Sequence, residues 1–76
     1  MELKDFIENF AAQFDETDAS ELKAETEYKE LDEWSSLIAL NVVSMIDESY
    51  GVAIEYSDFR EAKTIEELFN LVKSRD

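Results

Sequence analysis

Apolar and polar positions follow different rhythms in successive parts of the chain. Leu3, Phe6, Ile7, Phe10 and Phe14 recur at three- and four-residue steps, while Lys4, Asp5, Glu8, Asn9 and Gln13 take the other side. That spacing predicts an amphipathic first helix over residues 2–14. Residues 15–20 break the pattern with short polar side chains that favour turns and caps. From Ser20 to Trp34 the only large apolar residues are Leu22, Tyr28, Leu31 and Trp34, at no sustained period. This stretch reads as a long loop, with room for a helical turn, pinned to the core by those four side chains. Loops longer than about 12–15 residues are uncommon in compact domains and are often functional. This one leads to Ser35 and Ser36.

From Leu37 to Ile46 only Asn41 and Ser44 are polar, and with Glu48 they fall on one narrow stripe at helical spacing. The pattern predicts a central helix packed on nearly every side, with Leu40, Val42, Val43 and Ile46 in the core and Leu37, at the helix mouth, open to solvent. Ser35 is a good N-cap type, and Ser36 then sits in the first turn, where backbone N–H groups lack intrahelical partners. Gly51, the only glycine, stands where a helix end often needs a left-handed residue. Val52, Ile54 and Tyr56 alternate as a strand would, but no other segment could pair with them, so an extended connector burying Val52 and Ile54 is expected. Residues 57–62 suit a short helix. Thr64-Ile65-Glu66-Glu67 has the Thr-x-x-Glu form of a capping box. Ile65, Leu68, Phe69 and Val72 then share a face, and Lys73 and Arg75 suit the negative end of the dipole, which predicts a last helix over 65–74. The expected fold is all-α: a small bundle of three main helices and one short helix, forming a single domain over residues 1–76.

Composition narrows the chemistry. The chain has no cysteine and no histidine, so disulfides, thiolate metal sites, the commonest zinc ligand and the commonest general base are all missing. A calcium loop starting at Asp15 would need glycine at its sixth position and glutamate at its twelfth, where this chain has Ser20 and Thr26. No pair of carboxylates or hydroxyls forms a recognisable catalytic arrangement, so the chain reads as a non-enzyme without a metal. The net charge of −13 disfavours nucleic acid and anionic membranes and favours basic partners. Residues 1–35 hold 12 acids against 3 bases, which centres the acidic field before and around Ser36. No apolar run approaches the roughly 20 residues of a membrane span. The start of the chain also lacks a signal-peptide pattern, and a cytoplasmic monomer is expected.

The register from Ser36 to Ile54 resembles the acyl carrier protein family. Ser36-Leu37 opens the apolar helix, Leu40, Val42 and Ile46 fall on its usual apolar positions, Asp47-Glu48 and Tyr50 close it, and Val52-Ala53-Ile54 follows; Thr64-Ile65 stands where the family's last helix begins. The chain departs from the pattern where Ser35 replaces the usual aspartate and where Ile38 and Asn41 occupy often acidic places. An extra residue also stands between Leu31 and Ser36.

The resemblance implies that Ser36, flanked by Ser35 and Leu37, carries covalent 4′-phosphopantetheine donated by coenzyme A. The protein would then serve fatty acid, polyketide or related lipid synthesis. It further implies a phosphopantetheinyl transferase and acyl-transfer or ketosynthase-type enzymes with basic surfaces as partners. Glu30, Asp32, Glu33, Asn41, Ser44, Asp47 and Glu48 would face those partners, and the acyl chain would lie among Val43, Ile46, Ile54, Phe59 and Leu68. An aminoacyl or peptidyl carrier differs only in cargo. An unmodified acidic helical adaptor for a basic protein groove is the alternative from another class.

Overall fold

Four α-helices and two 3-10 turns make up the computed structural model, which describes residues 2–76. Helix α1 (Leu3–Ala11) is followed by a loop containing the 3-10 turns Ala19–Glu21 and Tyr28–Glu30. Then come α2 (Ser36–Tyr50), α3 (Tyr56–Glu61) and α4 (Ile65–Arg75). The all-α bundle expected from the sequence is present, with its short helix at α3.

Helix α1 is shorter than its apolar spacing suggests. After Ala11 the Gln13 and Phe14 amides bond back three residues, to the Phe10 and Ala11 carbonyls at 3.1 and 3.0 Å, so the helix tightens and ends. Phe14 still reaches the core from this turn. A side chain at the right spacing therefore packs without helical backbone beneath it.

The long loop is ordered by what it touches. Leu22 and Tyr28 are buried, and Leu31 and Trp34 pack against the core. Glu27 forms an isolated antiparallel bridge with Thr64; beside it the Ile65 and Glu66 amides donate to the Thr26 and Ala24 carbonyls at 3.1 and 2.9 Å. Thr64 Oγ1 accepts from the Glu67 amide at 3.1 Å and the Thr64 carbonyl from the Leu68 amide at 3.0 Å. The first four N–H groups of α4 are thus all paired, two of them by the loop. The Glu67 carboxylate caps one residue before the usual place, on the Lys63 amide at 2.7 Å.

Buried residues from every α-helix and the loop join one core. All nine aromatic residues belong to a connected network that runs from Tyr56 and Phe59 through Trp34 and Tyr28 to Phe10, Phe6, Tyr50 and Phe69. The Asn9 amide also ties α1 to α2 by donating to the Tyr50 hydroxyl at 2.9 Å.

Helix α2 departs from the sequence expectation on one side. Ile38, Ala39, Val42, Met45 and Ile46 are buried, but Leu40 is 53% exposed alongside Leu37 at 66%. The neighbouring helices contact only one face, so Leu40 is not a core residue despite its apolar surroundings in sequence. At the far end Gly51 adopts φ +67°, and its amide reaches the Asp47 carbonyl at 2.9 Å, the left-handed stop expected of it.

Candidate functional site

Ser36 is exposed as the first residue of α2. Ser35, in extended conformation, caps the helix: its Oγ accepts from the Ile38 amide at 3.2 Å and its carbonyl from the Ala39 amide at 2.9 Å. The Ser36 and Leu37 amides meet no acceptor among the described residues. Two donors and the positive end of a 15-residue helix therefore lie open at this serine.

Beside it runs a groove of about 590 Å³. Trp34, Phe59 and Tyr56 wall it, Lys29 and Arg60 bring cations to it, and Ser35, Ser36 and Ala39 complete the α2 side. No aspartate or glutamate lines it, in a chain with 20 acids and 7 bases. The Tyr56 hydroxyl donates to the Ser36 carbonyl at 2.7 Å, fastening the start of α3 to the start of α2.

Three anchors hold the six-residue helix α3 in place. The Tyr28 hydroxyl, fully buried, donates to the Ala62 carbonyl and lies 3.3 Å from the Phe59 carbonyl. The Lys29 ammonium also donates to the Phe59 carbonyl. Asp58, only 5% exposed, receives a bidentate pair from Arg75 at 2.7 and 2.9 Å and the Glu55 amide at 2.8 Å. The Arg75 hydrogen bonds, helped by the Glu55 amide, hold the Asp58 carboxyl below the usual aspartate range against the opposing effect of burial. Burial pushes the Tyr28 hydroxyl well above its ordinary pKa, with the Glu67 charge adding to the effect, so the hydroxyl stays a donor.

No family model, curated protein or solved structure matches the chain.

The residues singled out from sequence separate into groups. Ser35, Ser36 and Leu37 stand together at the helix mouth, with Leu37 exposed as expected. Asn41, Ser44, Asp47 and Glu48 are exposed along α2, and Glu30 and Asp32 are exposed in the loop before it.

Glu33 does something else. Its carboxylate accepts the Asp15, Glu16 and Thr17 amides at 2.6, 3.0 and 2.9 Å and the Thr17 hydroxyl at 2.9 Å, which closes the turn after α1. Desolvation raises its pKa, but the Thr17 hydroxyl and the three amides outweigh it and hold the group below the usual glutamate range. Glu33 is therefore a structural clasp, half-buried between the loop and the turn after α1.

The five residues expected to surround an acyl chain do not act as one pocket. Ile46 and Leu68 are fully buried, Ile54 is buried and Val43 is half-buried in the packed core, and of the five Phe59 alone lines the groove. The sequence reading missed Lys29, Tyr56 and Arg60, which come from two segments some 30 residues apart. For Lys29 and Arg60 the available signal was the scarcity of cations in the chain, 7 against 20 acids; Tyr56 carried no local signal. Trp34, read as a loop anchor, both anchors and lines the groove: it packs edge-on to Tyr28 and Phe59 at centroid distances of 5.0 and 5.4 Å.

Among the described residues no helix is long and apolar enough to cross a membrane. No cluster of three or more histidine, cysteine, aspartate or glutamate side chains suits a metal ion there either.

Proposed function

We propose that the chain is an acyl carrier: Ser36 takes a 4′-phosphopantetheine arm from coenzyme A and presents acyl intermediates, as thioesters, to enzymes of fatty acid, polyketide or related lipid synthesis. The observation that carries this reading is the exposed Ser36 hydroxyl at the start of a 15-residue helix, beside a groove with two cations and no acid. The residues fit the group. A phosphodiester on Ser36 Oγ gains from the open Ser36 and Leu37 amides and the helix dipole, and Lys29 and Arg60 offset its charge.

When bound, the arm supplies the thiol that a chain without cysteine cannot. The contribution of Ser36 is its oxygen: the O–H proton leaves, an O–P bond to the arm forms, and adenosine bisphosphate departs with the electron pair of the broken O–P bond. With no histidine in the chain, the base for that proton comes from the transferase.

The α2 surface supports the partner side of the proposal. Leu37 and Leu40, exposed one turn apart, give an apolar centre, and Asp47 and Glu48 give an acidic end that suits a basic partner.

Intact mass before and after incubation with coenzyme A and a broad-specificity phosphopantetheinyl transferase tests the reading. One phosphopantetheine should add to the wild type and none to Ser36→Ala, with both proteins equally helical by circular dichroism. No addition to a folded wild type, with the transferase active on a control carrier, overturns the proposal and favours the unmodified adaptor.

A further inference from the structure

We infer that the groove beside Ser36 is the resting place of the arm, with Lys29 and Arg60 flanking its phosphate and Trp34, Phe59 and Tyr56 packing its chain. This rests on the carrier reading and adds where the loaded arm lies: folded against α3, not free in solvent.

Charge is the first argument. In a molecule of net charge −13 the general field repels a phosphate, yet the groove lining includes two of the seven bases and none of the 20 acids. Lys29 keeps donors to spare, since its bond to the Phe59 carbonyl uses one of three N–H groups, and the planar fork of Arg60 suits phosphate oxygens.

Size is the second. About 590 Å³ lies within the roughly 300–1,000 Å³ of small-molecule sites and is more than a phosphate alone fills. The third is rigidity. Phe59 packs edge-on to both Trp34 and Tyr56, at 5.4 and 6.1 Å, and the Tyr56 hydroxyl is tied to the Ser36 carbonyl, so the walls are set before anything binds.

The chain has no cysteine, so the thiol of the arm would be the only thiol in the loaded protein and reports on the arm alone. Wild type, Arg60→Gln, Arg60→Lys and Lys63→Gln, the last a neighbouring cation matched in charge change, are loaded and checked by intact mass. The readouts are the phosphorus-31 shift of the phosphodiester, Trp34 fluorescence, and the rate of thiol reaction with a small disulfide reagent.

Loading should change Trp34 emission in the wild type. Arg60→Gln should move the phosphorus resonance and speed the thiol reaction by about two- to fivefold, as expected for losing one exposed ion pair. Arg60→Lys should fall between, and Lys63→Gln should match the wild type. Loaded wild type and Arg60→Gln with the same phosphorus shift and thiol rate overturn this inference alone, as does an equal effect of Lys63→Gln. No mass added to the wild type overturns the carrier reading and this inference with it.

Discussion

Asp58 reads in sequence as one more short polar residue at a helix start, yet it is the buried partner of Arg75, 17 residues away. Its depressed pKa means that the folded state holds the carboxylate more tightly than the unfolded chain does, so the contribution to stability is full above the ordinary aspartate range and is lost as pH falls through the folded value. Arg75 is itself 41% exposed, which discounts the pair. Asp58→Asn should therefore cost about 2 kcal/mol at neutral pH by urea unfolding. The gap to wild type should be constant above about pH 5 and close as the medium is acidified toward the folded pKa. A gap independent of pH would remove the ion pair from the account. Glu33 carries the same sign for its own reason, a carboxylate gathering three amides and a hydroxyl. Neither role was legible, because a local sequence pattern shows a capping residue but not which distant donors fold onto it.

Helix boundaries divide along similar lines. Both ends of α2 were readable, since Ser35 and Gly51 act through their own backbone neighbours. Gly51→Ala should cost about 1 kcal/mol, the backbone penalty of a left-handed residue, because an added Cβ there would meet nothing within 4 Å. Ser35→Ala should cost a similar amount, about 1 kcal/mol, through loss of the bond to the Ile38 amide. Urea midpoints of the two variants test both, and an unchanged midpoint for Gly51→Ala would contradict the strain argument. The end of α1 was not readable: Phe14 continues the apolar spacing on a backbone that has already turned. Leu40 makes the same point on α2, where a nearly continuous apolar run conceals which face the rest of the chain covers.

Across the whole molecule the acids are spread over a globule whose Cα radius of gyration is 11.0 Å, and self-repulsion at −13 opposes that compactness. Screening relieves it, so the melting temperature should rise steadily as sodium chloride is raised from about 10 to 300 mM, over which the Debye length falls from about 30 Å to below 8 Å. A melting temperature that falls with salt would mean that ion pairs such as Asp58–Arg75 outweigh the repulsion. The same global charge gives the Ser36 groove its contrast, because two cations without an acid stand out only against such a background. The sequence by itself determined the all-α class, the helix periods, the caps of α2 and α4 and the serine at a helix start, since each follows from residues within a few positions of one another. Tertiary structure decided which face of α2 stays open, which carboxylates serve the fold, and that Lys29 meets Arg60 across an aromatic groove. Those outcomes depend on how the long loop and α3 pack together, and contacts between distant segments are set by the shape of the shared core.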